Sequence, residues 1–221
     1  MIEIIILGNG GHARVLQEAL ADRYRPNEIR KLDHDEHLGG LQLESKKYGP
    51  QYIFLVNGIG AMDPRIAIFE KWTARGFGFA NVFHRKAVTP RVGTRLSGEF
   101  GMGVQVMAGA IIQPGCKIGN NVIINTRASI DHDCIIGDHV HTAPGAILCG
   151  GVTVGEGAFI GAGTTVLPGV KIGAGAVIGA ASLVRHDIPD NALAFGRPAN
   201  MAPSWKSLRE RRVSAEVGDA Y

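Results

Sequence analysis

Val152-Thr153-Val154-Gly155-Glu156-Gly157-Ala158-Phe159-Ile160-Gly161-Ala162-Gly163-Thr164-Thr165-Val166 places one aliphatic residue at every sixth position. The series extends in both directions through Val106, Ile112, Ile118, Ile124, Ile130, Ile136, Leu148, Ile172, Ile178 and Val184, and only Thr142 breaks it. Two positions earlier each hexad carries a small or β-branched residue, among them Ala110, Cys116, Ala128, Cys134, Ala146, Ala158, Thr164 and Ser182. This period fits neither a helix nor an alternating strand, so the repeat itself defines the architecture. The reading is a parallel β-helix of triangular section, each hexad giving one short strand and one corner. Equivalent residues then stack about 18 positions apart, and Gly, Asn or Asp takes the corners that need positive φ. Gly often follows the aliphatic residue directly, as at Gly119, Gly137, Gly155, Gly161, Gly173 and Gly179.

Ahead of the repeat, Ile2 to Leu7 is an apolar run of strand length ending in Gly8-Asn9-Gly10-Gly11-His12, and a helical pattern with Val15, Leu16, Ala19 and Leu20 follows. Gly8, Gly10 and Ala13 make a formal GxGxxA match, and Asp33 follows a second strand at Ile29 to Leu32. Glycines here let a ligand approach the backbone, and the helix start offers free N–H groups to an anion. A third strand, Tyr52 to Val56, ends in Asn57-Gly58-Ile59-Gly60. A helix is expected with Asp63 and Pro64 in the cap and first-turn roles and Ile66, Ile68, Phe69 and Trp72 along it, then a strand from Phe77 to Val82. This is an α/β, Rossmann-like unit, too small for the two halves that a dinucleotide needs. A nucleotide-linked ligand suits it better, with His12 donating to a phosphate or a sugar. The expected organisation is an α/β domain over 1–83, the β-helix over 84–188, and a cap and tail over 189–221, with a charged helix at Ser204 to Arg212.

The 221 residues carry a net charge of +3, 45% hydrophobic residues, 6% aromatics and 31 glycines, which suits a solenoid of small corners. Lys and Arg are scattered except for Arg209, Arg211 and Arg212, so nothing points to nucleic acid. Cys116, Cys134 and Cys149 form no CxxC pair or disulfide framework, and the start of the chain lacks the basic region of a signal peptide. No stretch approaches the roughly 18 apolar residues of a membrane span, so a soluble, cytoplasmic protein is expected, with no membrane partner.

Asp131-His132-Asp133 interrupts the repeat with three polar residues. A histidine beside a carboxylate is a candidate general base, because the carboxylate orients the imidazole and stabilises the imidazolium. Stacking puts Gly150 one coil from His132, where backbone N–H groups would serve a developing oxyanion, and puts Ala162 and Ala180 in one column. His141 falls on a different face from His132, so the two meet only if subunits pack side by side. A metal site drawn from Asp131, His132, Asp133, Cys134, His139 and His141 has no common focus in one chain, and no metal is expected. His139 reads as a face or corner residue.

Leu7-Gly8-Asn9-Gly10-Gly11-His12, Asp131-His132-Asp133-Cys134-Ile135-Ile136-Gly137, His141 and Gly196-Arg197-Pro198-Ala199, taken together, resemble the bacterial sugar O/N-acetyltransferase family of the hexapeptide superfamily. That family includes sialic acid O-acetyltransferases and PglD- and PerB-type nucleotide-sugar N-acetyltransferases. The resemblance implies a left-handed β-helix, a homotrimer and an active site between subunits. It implies an acetyl-CoA-dependent N-acetyltransferase for the amino group of a nucleotide-linked amino sugar, a 4-amino-4,6-dideoxyhexose, in surface polysaccharide biosynthesis. The alternative is O-acetylation of a sialic acid or related sugar. A nicotinamide oxidoreductase and a non-catalytic scaffold are the readings outside the family. By resemblance His132 is the catalytic base and Asp133 its partner, while Gly10, Gly11, His12, Asp33, His34 and Gly58 bind the sugar nucleotide. His141, Gly150, Ala162 and Ala180 lie along acetyl-CoA. Asp33-His34-Asp35 and Asn57-Gly58-Ile59-Gly60 depart from the family pattern, which leaves base and sugar open.

Overall fold

The computed structural model describes residues 3–21, 24, 29–32, 53–90 and 98–202. Asp33, His34 and the expected helix at 204–212 lie outside the described residues. The first unit runs β1 (Glu3–Leu7), α1 (Gly11–Leu20), β2 (Ile29–Leu32), β3 (Ile53–Asn57), α2 (Met62–Thr73) and β4 (Gly78–Phe79). Its strands form one parallel sheet in the order β2-β1-β3-β4. Ile4, Ile5 and Ile6 are consecutive and all buried, because helices cover both faces of the sheet. Helix α1 sets Ala13, Leu16, Ala19 and Leu20 against Ile4, Ile6 and Val56, and α2 sets Phe69 and Trp72 against Ile5, Leu7 and Leu55.

Three local expectations change. Val15 lies on the solvent side of α1, 45% exposed, because the inward stripe is filled by Ala13 and Leu16. Helix α2 starts at Met62 with Ala61 as its cap, so Asp63 and Pro64 both stand in the first turn, where a missing proline N–H costs no helical hydrogen bond. The strand expected at 77–82 divides: Gly78–Phe79 stays in the first sheet, while β5 (Val82–Phe83) pairs with Gln105–Val106 of the solenoid. Only Ala80 and Asn81 separate the two strands, and Asn81 bonds to Gly101 and Val104, so the crossing is short and tied down.

From Val82 onward successive short strands visit three sheets in turn, of eight, five and five strands, parallel throughout except for the last pair of the eight. The hexad arithmetic holds in the register: Ile130 lies between Ile112 and Leu148, Ile136 between Ile118 and Val154, and Thr142 between Ile124 and Ile160. Both inward rows are buried along the repeat and form one continuous core. Each aliphatic side chain in it contributes about 1.5–3 kcal/mol by leaving water. Thr142 keeps the β-branch of its neighbours Ile124 and Ile160, and its buried hydroxyl has no partner among the described residues.

Two kinds of glycine build the corners. The glycine directly after the aliphatic residue does not carry the positive φ; a β-carbon on Gly155 would instead lie 2.4 Å from the Ala174 nitrogen of the next coil. The left-handed residue comes two positions later, as at Gly151 (φ 68°), and Asp133 (φ 59°) and His139 (φ 62°) fill that position in their own hexads. Short polar side chains tolerate this conformation better than other non-glycine residues. At the far end Leu193–Phe195 joins the eight-stranded sheet and pairs antiparallel with Asn200–Met201.

Candidate active site

The corner between the sheets holding Ser129–Ile130 and Ile135–Ile136 carries His132 and Asp133. His132 Nδ1 stands 2.8 Å from Asp133 Oδ2, and the His132 backbone N–H donates to Asp131 Oδ1 at 2.8 Å. A carboxylate only accepts, so Nδ1 carries the hydrogen and Nε2 presents its lone pair when the ring is neutral. The Asp133 hydrogen bond, aided by the Asp131 charge, raises the His132 pKa. The ring is largely exposed, 62% at the side chain, and thus open to a second molecule.

Small residues clear the space around this pair. A β-carbon on Gly150 would lie 2.7 Å from both Cε1 and Nε2 of His132, and one on Gly115 would lie 2.3 Å from Asp133 Oδ1. Glycine on the coils either side therefore permits an imidazole and a carboxylate where other corners pack backbone on backbone. The Gly151 N–H is spent on the His132 carbonyl, whereas the Gly150 N–H has no backbone acceptor among the described residues. Ala162 and Ala180 share the next corner, linked by the Ala181 N–H to the Ala162 carbonyl at 2.7 Å, and both are exposed. The sheet containing Ser129, Ile147, Thr165 and Leu183 connects the two corners.

The glycine turn forms a separate cleft. The Gly58 N–H donates to the Leu7 carbonyl at 2.8 Å, joining the loops that follow β1 and β3. Strand order reverses there, which is where open α/β sheets take their ligands. Gly58 itself is buried, and a β-carbon on it would lie 2.7 Å from the Leu7 oxygen, so its role is close packing of the two loops. Gly10 caps α1 with no side-chain hydrogen bond, and Gly10 and Gly11 are exposed. The unspent N–H groups of that first turn face outward, suited to an anion. His12 turns inward, with Nε2 2.7 Å from Gln105 Oε1; burial lowers its pKa against the opposing Gln105 bond.

His141 belongs to this cleft rather than to the His132 corner. It projects from the eight-stranded sheet between Ile123 and Phe159, receives Asn125 Nδ2 at 3.2 Å on Nε2, and packs edge-on against Phe159. Burial, with Arg65 and His12 nearby and a Gly60 backbone hydrogen bond opposing, pulls its pKa down to about 3. That sheet is the wall opposite the His132 corner, so one chain does not bring the two histidines together.

The repeat pattern gave no sign of the seam between the two units. Arg65, fully buried on α2, donates through Nη1 to the Asn121 carbonyl and through Nη2 to the His139 carbonyl at 2.7 Å. Burial lowers its pKa to about 10. Asn57 donates to the Arg65 carbonyl at 2.8 Å, and Gln105 Nε2 donates to the Asn57 carbonyl at 2.7 Å. His139 bonds Asn121 through Nδ1 at 2.9 Å and meets Phe69 edge-on, which makes it a packing residue of this seam. The one available signal was spacing, since Arg65 shares its helix face with Phe69 and Trp72. Cys116 and Cys134 point into the solenoid core with thiols on the Asp131 and Cys149 carbonyls, and burial raises the Cys149 thiol. Among the described residues no cluster of three His, Cys, Asp or Glu could hold a metal, and no helix is long and apolar enough to cross a membrane.

Comparison with known proteins places this geometry. The bacterial transferase hexapeptide model (six repeats) matches residues 115–150, 133–167 and 151–186. The acetyltransferase domain of PglB from Neisseria gonorrhoeae FA1090 superposes with a TM-score of 0.81 at 30% identity, over 91% of this chain and 100% of that one. The same domain in complex with acetyl coenzyme A gives 0.77 at 29% identity, over 90% and 98%. PerB from Caulobacter crescentus, in complex with CoA and GDP-perosamine, gives 0.78 at 37% identity, over 90% and 97%. No curated protein matches the sequence.

Proposed function

Because the chain belongs to the PglD/PerB-type sugar acetyltransferases and is an acetyltransferase using acetyl-CoA, we propose that it acetylates the amino group of a nucleotide-linked amino sugar, a 4-amino-4,6-dideoxyhexose. The observation that carries this reading is the His132–Asp133 pair set against Gly150 at an open corner. His132 Nε2 takes a proton from the sugar amine as nitrogen attacks the thioester carbonyl. Oxygen gains the negative charge within reach of the Gly150 N–H. Collapse of the tetrahedral intermediate breaks the C–S bond, and the imidazolium returns its proton to the departing CoA thiolate. Asp133 holds the ring and offsets its positive charge. No covalent enzyme intermediate is required.

The sugar nucleotide is assigned to the turn at Gly10, Gly11 and His12, with its diphosphate at the start of α1, and acetyl-CoA to the wall running from Gly150 to Ala162 and Ala180. Asp33 and His34 are proposed to contact the nucleotide. His132 and His12 stand on opposite sides of one chain, which supports an active site shared between neighbouring copies of a trimer wound from left-handed solenoids. The test is release of CoA thiol from acetyl-CoA with UDP-, GDP- and dTDP-linked 4-amino sugars and with free sialic acid. Fast turnover with one nucleotide sugar is expected. Turnover with sialic acid alone would move the assignment to O-acetylation, and silence across the panel would reject both.

A further inference from the structure

The orientation of Gln105 follows from its two partners. Its Nε2 donates to the Asn57 carbonyl at 2.7 Å, so the atom facing His12 at 2.7 Å is the carbonyl oxygen Oε1, which only accepts. His12 must therefore carry its hydrogen on Nε2. Gln105 is 1% exposed, and Asn57, which holds it, is fully buried and bonded in turn to the Arg65 carbonyl, so neither amide is free to flip. On its other side the ring is flanked by Gly60, where a β-carbon would lie 3.4 Å from His12 Cβ. Nδ1 has no partner among the described residues.

We propose that Gln105, a solenoid residue, is a positioning residue for substrate recognition: it locks His12 as the Nε2–H tautomer so that Nδ1 accepts a hydrogen bond from a hydroxyl or amino group of the bound sugar. This rests on the assignment of the glycine turn to the sugar nucleotide. It also changes the chemistry expected of His12, since a neutral ring whose one N–H is spent has nothing to donate to a phosphate. The groups facing the ring agree with neutrality. Arg65 and His141 lie on that side, and both Arg65 and burial disfavour an imidazolium. The diphosphate is left to the backbone N–H groups of α1, and His12 reads the sugar.

Nitrogen-15 NMR of the histidines in the unliganded wild-type protein tests the lock directly. An unprotonated Nδ1 and a protonated Nε2 on His12 are expected, and the opposite tautomer or an imidazolium at neutral pH would overturn the proposal. This readout needs no turnover, so it stands apart from any failure to find an acetyl acceptor. Kinetics of Gln105→Leu and His12→Asn then test the consequence. Each is expected to raise KM for the amino-sugar nucleotide about tenfold, as for one lost hydrogen bond. The KM for acetyl-CoA and the inhibition constant of the matching nucleoside diphosphate should stay unchanged, and the double variant should be no worse than His12→Asn alone. Equal weakening of the nucleoside diphosphate, or multiplying penalties in the double variant, would show that Gln105 does not work through a sugar contact of His12.

Discussion

The imidazole of His132 stands directly against Gly150 of the next coil: a β-carbon there would lie 2.7 Å from both Cε1 and Nε2. The backbone at Gly150 is not left-handed, so alanine is allowed sterically by its own φ and conflicts only with the ring. Gly150→Ala is expected to push the exposed ring aside with little loss of stability, yet lower kcat by about 10²-fold through misplacement of the base. Thermal unfolding beside kcat separates the two effects, and a large drop in Tm would show that the glycine is needed by the coil instead.

Removing the base itself, His132→Ala, should lower kcat/KM by about 10²–10⁴. A loss below about tenfold would reject general-base catalysis by this residue.

The pH profile carries a signed expectation. Asp133, then Asp131, raise the His132 pKa, and a base works when deprotonated, so the acidic limb of kcat/KM should lie above the usual histidine value of about 6.5. Asp133→Asn removes the larger cause and should move that limb to lower pH while reducing the rate. A limb that does not move would mean that another group sets it.

His12, His139 and His141 all have pKa values lowered by burial, that of His141 to about 3. The unfolded chain then binds more protons than the folded one below pH of about 6.5, so their contribution to stability is lost as pH falls. His141 alone should give a slope of up to about 1.4 kcal/mol per pH unit between about 6.5 and 3. Urea denaturation of wild type and His141→Gln across this range should show a shallower acid loss in the variant, and equal slopes would contradict a neutral His141.

Arg65→Met keeps the apolar stem but strips the hydrogen bonds from the Asn121 and His139 carbonyls in the buried seam. A loss of about 3 kcal/mol is expected in urea denaturation, within the range for buried polar groups left unpaired. A change within about 0.5 kcal/mol would show that water or relaxation replaces both bonds.

The solenoid was legible because its cause is local and repeated. Each hexad fixes an inward aliphatic residue and a corner, and a period of 18 then dictates that Gly150 adjoins His132 and that Ala162 and Ala180 share a column. The strand–glycine–helix start was legible for the same reason: an unbroken apolar run followed by glycines permits little else. The distinction between the two kinds of corner glycine was not, because close approach and positive φ leave the same letter in the sequence.

What the sequence by itself determined is the architecture and which residues meet at the His132 corner, since periodicity and stacking follow from short-range geometry and burial of one apolar row. Only the tertiary structure decided the seam. Docking of the α/β unit on the solenoid wall buries Arg65, hands His12 to Gln105, and draws His141 into the cleft at Gly60. These partners are as far apart in sequence as Arg65 and His139, or His12 and Gln105, and no repeat or local propensity relates them. Their pairing arises where two surfaces distant in sequence meet and most of the polar groups buried between them take partners from across the contact.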